Sequence, residues 1–109
     1  MATTVEIARP VRKQIKRLRR RYPSLTTELA KLISQLETDE RPGDKIPGVG
    51  HDVYKVRLAN PSAQRGKSGG FRVIYYVKTA TGVILIAVYS KSDQTDISPD
   101  AIRRAIEEL

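Results

Sequence analysis

Residues 71–90 read FRVIYYVKTATGVILIAVYS, and the way this stretch divides decides the fold. In an extended chain, Phe71, Val73, Tyr75 and Val77 fall on one side, and Arg72, Ile74 and Tyr76 on the other. Thr81-Gly82 marks a tight turn. Val83 to Tyr89 is apolar almost throughout, which predicts a strand buried on both faces. Upstream, Val53 to Ala59 alternates in the same way, with Tyr54, Val56 and Leu58 opposed to Lys55 and Arg57. Asn60 to Gly70 between them is polar and glycine-rich, longer than a tight hairpin needs. Three strands joined in sequence predict an antiparallel meander.

Working outward, Thr3 to Ala8 alternates weakly and predicts a short first strand. Pro10 stands where a helix begins, and Val11, Ile15, Leu18 and Tyr22 recur on one helical face until Pro23 breaks it. Leu25, Leu29, Leu32, Ile33 and Leu36 mark a second helix, with Ser24 or Thr26 as its expected cap. The short connection predicts a helical hairpin. Thr38 to Gly50 is rich in Pro and Gly and reads as a loop crossing from helices to sheet. Ser98-Pro99 opens a last helix through Leu109, with Ser98 as cap and Pro99 at its first position. The expected fold is α+β: an N-terminal strand and helical hairpin packed on a small, mainly antiparallel sheet, with a C-terminal helix. Residues 1–109 are read as a single domain.

Composition narrows the function. Twenty Lys and Arg against twelve Asp and Glu give a net charge of +8 and a pI near 10. Such a balance favours a polyanionic partner: nucleic acid, an anionic membrane or an acidic protein. It is also compatible with a basic protein that has no such partner. The absence of Cys excludes disulfides, a thiol nucleophile and Cys-ligated zinc, and one His (His51) cannot build a His-rich metal site. No metal or cofactor is expected. No apolar run is long enough to span a bilayer, and Met-Ala-Thr-Thr-Val-Glu has no signal-peptide core, so a cytoplasmic protein is expected.

The cations gather in two places. The first helix carries Arg9, Arg12, Lys13, Lys16, Arg17, Arg19, Arg20 and Arg21, and Glu6 is the only carboxylate before Glu28. A helix face of this kind serves either solubility or a polyanion. The second place is the sheet: Val53 to Ser92 contains no Asp or Glu at all. Lys55 and Arg57 share a strand face, Arg72 lies on the neighbouring strand, and Lys91 follows the end of the next. Alternation lets all four converge opposite the helical hairpin. This is either a solvent face that uses Lys and Arg to block edge pairing, or an anion site. Phosphate suits it chemically: Arg offers a planar fork and Lys a compact charge, and together they stabilise the added negative charge of a pentacoordinate phosphorane. RNA brings its own nucleophile, the 2′-hydroxyl, so its cleavage needs no Cys, Ser or metal, and a protein without metal ligands can still be a ribonuclease.

The stretches YKVRL (54–58), GGFRVIYY (69–76) and ILIAVYSKSD (84–93), with the preceding helical hairpin and terminal helix, resemble the RelE/ParE superfamily of bacterial type II toxins. Within it, the chain is most similar to the RelE-like ribosome-dependent messenger ribonucleases. The resemblance implies a toxin of a toxin-antitoxin system that enters the ribosomal A site and cleaves mRNA by metal-independent attack of the 2′-hydroxyl. Lys55 and Arg57 match the family's paired basic positions, Arg72 the arginine that contacts the scissile phosphate, and Lys91 the basic position after the last strand. That last group holds transition-state charge or protonates the leaving oxygen. Many relatives place a Tyr a few residues later; here Ile97 falls near that place, and Tyr76 or Tyr89 stands as the base-stacking candidate, a core role being open for either.

Arg65 and Lys67 in the glycine-rich loop, with Arg17 and Arg20 on the first helix, are expected to contact RNA, although the loop also fits a solvated tip. Asp93 is open between acting as a base, orienting Lys91 and capping a turn. The implied partners are a cognate antitoxin, ribosomal RNA and mRNA, with no membrane. Two other readings of the same fold are a ParE-like inhibitor of DNA gyrase without nuclease chemistry and a non-catalytic RNA-binding protein.

Overall fold

The chain's structure is a computed structural model that describes residues 2–60, 70–92, 94 and 96–109. Arg65, Lys67, Asp93 and the tip of the glycine-rich loop lie outside the described residues. In chain order the elements are β1 (Thr4–Ile7), α1 (Arg9–Arg21), α2 (Ser24–Glu37), β2 (Asp44–Lys45), β3 (Val53–Leu58), β4 (Phe71–Thr79), β5 (Gly82–Ser90) and α3 (Pro99–Glu107). The strands form one sheet in the order β1-β5-β4-β3-β2. The meander β3-β4-β5 is antiparallel as expected, and β1 returns parallel to β5, pairing Thr4 with Gly82 through Ile7 with Leu85.

Each helix begins where local chemistry allows it. Pro10 occupies the first turn of α1, where no intrahelical donor is needed. Ser98 caps α3, its hydroxyl oxygen accepting from the Ala101 N–H at 3.2 Å, with Pro99 at the first position. The expected cap of α2 is not formed. Pro23 is the N-cap and no side chain caps it, so Ser24 and Thr26 both lie inside the helix. Pro23, the residue at the cap, is itself in the helical region and carries no hydroxyl or carboxylate to accept from the first turn.

The 38–50 segment also holds a strand that its sequence does not announce. Asp44 and Lys45 pair with Lys55 and Tyr54, so β2 exists through tertiary pairing rather than through any pattern of its own. Gly43, at φ +92°, permits this approach: a Cβ there would lie 2.3 Å from the Lys55 carbonyl oxygen.

Apolar side chains bury on both faces of the sheet. On one face Val11 and Leu25, Leu29, Leu32 and Leu36 of the hairpin meet Val56, Leu58, Phe71, Val73, Tyr75, Val83, Leu85 and Val88. On the other, Ile102 and Ile106 of α3 meet Val49, Val53, Ile74, Ile84, Ile86, Ala87 and Tyr89. The change of parity along β5 has a specific cause. Tyr75 pairs with Leu85 but Ile74 pairs with Ala87, which leaves Ile86 as an extra residue in a bulge. Strict alternation would send Tyr89 beneath the hairpin with Val83 and Leu85; the bulge turns it to the opposite face, beside the cations.

Arginine also closes the structure at two points. Arg41 donates to the carbonyls of Leu36 (3.3 Å), Glu40 (2.8 Å) and Ala80 (3.2 Å) and to the Thr3 hydroxyl (3.1 Å), tying the end of α2 to the β4–β5 turn. Arg103 of α3 donates to Gly48 and Val49 carbonyls at 2.8 and 3.1 Å and pairs with Asp100 at 2.8 Å.

Candidate functional site

The face opposite the helical hairpin has two ends. Under α3 it is apolar; toward the Leu58 end of β3 it becomes cationic. The register builds the cationic end row by row. Arg57 pairs with Arg72, and Arg72 with Tyr89, so these three side chains form one cross-strand line over β3, β4 and β5. One row nearer α3, Lys55 pairs with Ile74, which pairs with Ala87. Lys91 follows β5 directly, its N–H bonded to the Gly70 carbonyl at 3.0 Å, so the ladder runs one step past the strand. Lys55, Arg57, Arg72 and Lys91 are thereby brought onto one end of one face.

Arg72 is the unusual member. It is only 8% exposed, yet its one hydrogen bond among the described residues is from Nη1 to the Phe71 carbonyl at 3.2 Å. No carboxylate pairs with it there, and none pairs with the exposed Arg57. Arg41 and Arg103, by contrast, each satisfy three or more acceptors. Burying a cation without an anion is costly, because desolvation is not offset. Gly70 sits against this guanidinium: a Cβ at position 70 would lie 3.1 Å from Arg72 Nη1 and 2.8 Å from the Leu58 carbonyl oxygen.

The two lysines do have an acid, and the sequence did not mark it. The chain turns after β5, the Gln94 N–H bonding the Ser90 carbonyl at 3.2 Å, and Asp96 comes back over the patch. Its carboxylate lies 3.4 Å from Lys55 Nζ and 3.5 Å from Lys91 Nζ, and accepts from the Tyr89 hydroxyl at 3.2 Å. Lys55 chiefly, with Lys91 and the Tyr89 hydroxyl, holds the Asp96 carboxyl below its ordinary range against the opposing effect of desolvation. Burial, then the adjacent Asp96, pushes the Tyr89 phenol up to about 12. The stretch SDQTDIS contains two Asp residues, and no feature of spacing separates them before the turn is known.

The tyrosines and helix cations are placed as follows. Tyr89 is buried at 4% exposure. Tyr76 is half-buried, its ring edge-on to His51 with centroids 5.5 Å apart. Ile97 packs with the core beneath α3. Arg17 borders a cleft of about 220 Å³ together with Tyr89, Ser90 and Gln94, beside the patch. Gln14 lines the same cleft and accepts the Val88 N–H at 3.2 Å, covering the edge of β5 that β1 leaves open. Arg20 is exposed on α1. Among the described residues no three His, Cys, Asp or Glu side chains gather as a metal site.

Fold and patch together define a small, basic α+β protein that presents a cationic patch on one face of a five-stranded sheet. The family model for the RelE toxin of the RelE/RelB toxin-antitoxin system matches residues 11–107, and the chain belongs to that family. Among solved structures it is similar to the free state of a double-arginine variant of the E. coli toxin RelE, with a TM-score of 0.65 and 20% identity. That match covers 100% of this chain and 99% of the other, and shows a shared fold. No curated protein matches the sequence.

Proposed function

We propose that the chain is a ribosome-dependent endoribonuclease that cleaves mRNA in the A site. The observation that carries this reading is Arg72, a nearly buried guanidinium with no anionic partner among the described residues, in line with an equally unpartnered Arg57. A phosphodiester supplies the missing charge, and the planar fork of Arg72 grips two of its oxygens. The 2′-oxygen of the preceding ribose attacks phosphorus, the bond to the 5′-oxygen breaks, and a 2′,3′-cyclic phosphate and a 5′-hydroxyl result. Lys55 and Lys91 pass the 2′-hydroxyl proton on to the leaving 5′-oxygen, with Lys91 beside that oxygen, while Arg57, whose guanidinium keeps its proton, shares with them the stabilisation of the charge that gathers on the phosphorane.

The exposed cations of α1, Arg17 and Arg20 among them, hold ribosomal RNA or the message, as do Arg65 and Lys67 of the glycine-rich loop. The site of action is the cytoplasm; among the described residues no helix is long and apolar enough to cross a membrane. The antitoxin partner is acidic, or carries an amphipathic helix that covers the basic face or displaces α3.

Mapping mRNA ends by primer extension after incubation with programmed ribosomes tests the reading. New ends within A-site codons are expected from the wild-type chain. Arg72→Ala should lower their rate of appearance about a hundredfold or more, as loss of a preorganised charge donor does. Equal cleavage by the variant, or none by the wild-type chain, overturns the reading.

A further inference from the structure

We infer that Asp96 is a positioning residue of the cleavage site, resting on the nuclease reading above. It holds the ammonium groups of Lys55 and Lys91 together over the face that receives the phosphate. Lys55 belongs to β3 and Lys91 follows β5, so a whole strand lies between them. Strands are spaced about 4.8 Å apart, and Lys91 stands level with Gly70, four residues before the Ile74 that faces Lys55, so the two lysine backbones lie farther apart than the roughly 10 Å between the outer strands. Between them on this face lie Ile74, apolar and 1% exposed, and the cationic Arg72, neither of which offers an ammonium group anything to bind. Two flexible cationic side chains in that situation repel each other and spread into solvent.

Asp96 reverses this. One of its oxygens lies 3.4 Å from Lys55 Nζ and the other 3.5 Å from Lys91 Nζ, so a single carboxylate spans the pair. The Tyr89 hydroxyl, donating at 3.2 Å from a buried ring, fixes the carboxylate in turn. Each ammonium group has three N–H donors. One spent on Asp96 leaves two for substrate oxygens, so the acid does not have to leave when RNA binds. The four cations and the one anion leave the patch net positive.

Convergence has a cost in binding. A negative charge beside a phosphate site weakens the attraction of the backbone, while fixed geometry speeds the chemical step. Positioning therefore predicts effects of opposite sign on the two quantities, which loss of structure does not produce. Asp96 is about half exposed and lies between β5 and α3, so its replacement leaves both cores intact.

The test uses Asp96→Asn and Asp96→Glu. Binding is read by fluorescence anisotropy on an RNA whose scissile nucleotide lacks the 2′-hydroxyl, and turnover on the same RNA with the hydroxyl present, on ribosomes. Asp96→Asn is expected to lower kcat by roughly tenfold to a hundredfold, as misplaced catalytic groups do, while the uncleavable RNA binds equally or more tightly. Asp96→Glu, which keeps the charge, should recover part of kcat. In the RNA-free protein, NMR relaxation at the lysine ε-carbons should show Lys55 and Lys91 gaining mobility in Asp96→Asn while Lys78 does not change. Unchanged lysine mobility, unchanged kcat, or a parallel loss of binding and kcat would overturn the inference. Absence of cleavage by the wild-type chain would instead remove the nuclease reading, and the lysine relaxation would still decide whether Asp96 positions the pair.

Discussion

Arg57 and Arg72 stand directly opposite each other across β3 and β4, and neither meets a carboxylate among the described residues. Like charges facing across a sheet destabilise it, by roughly 0.2–1 kcal/mol in this kind of pair. Arg57→Thr, which puts a good strand former in place of the exposed partner, should therefore stabilise the fold by about that amount. Urea unfolding should show a higher midpoint with an unchanged slope. Under the proposed function the same variant should also cleave RNA more slowly, because the phosphate would lose one of the two guanidinium groups proposed to receive it. A lower midpoint would mean that Arg57 has a structural partner.

Gly70 is expected to tolerate no side chain. Its Cβ would come 2.8 Å from the Leu58 carbonyl oxygen, which is backbone within the β3–β4 pair, and 3.1 Å from Arg72 Nη1. Gly70→Ala then forces either the strand end or the guanidinium to move, at a cost of about 1–3 kcal/mol for overpacking. If the proposed nuclease reading holds, cleavage should fall further than stability accounts for, since the displaced group is the one proposed to clamp phosphate. Thermal melting and single-turnover cleavage, measured on one preparation, separate the two losses.

The hairpin core makes the plainest demand on packing. Leu25 and Leu36 are fully buried, and Leu32 is 1% exposed against the sheet. Leu25→Ala should cost about 2–5 kcal/mol through lost burial and the cavity left behind. Leu109→Ala, at a position 54% exposed, should stay within about 0.5 kcal/mol of the parent. Chemical denaturation of the two variants beside the wild-type chain checks the contrast.

What the sequence could reveal follows from which interactions are local. The meander, the hairpin and the Ser98-Pro99 helix start each announce themselves within a few residues, and each stands where expected. The convergence of Lys55, Arg57 and Arg72 was legible too, because it needs only strand alternation and neighbouring strands. Three features were not. The bulge at Ile86 depends on how β4 and β5 pair, and an apolar run such as VILIAVY carries no sign of it. The pairing of β2 with β3 needs the approach that Gly43 allows. Asp96 reaches Lys55 only because a turn after β5 folds back over the sheet, a contact between residues far apart in sequence. These long-range details decide how the cations are held, whereas short-range pattern decides only that they share a face.

The Tyr89–Asp96 contact carries a pH signature. The Tyr89 ring is buried, and burial together with Asp96 pushes its phenol up to about 12 from the ordinary 10.0. Burial raises the Tyr75 phenol as well, and its hydroxyl donates to the Pro42 carbonyl. A raised value means that the folded chain favours the neutral phenol. The stabilisation is therefore complete below pH 10.0, where the unfolded tyrosine is neutral too, and is lost as pH rises from there toward about 12. Urea midpoints taken across that window should fall for the wild-type chain. Tyr89→Phe should flatten the fall in part, with Tyr75 providing what remains. If Tyr89→Phe follows the wild-type curve throughout, the Tyr89 hydroxyl does not hold Asp96 in solution, and the support beneath the lysine pair must come from elsewhere.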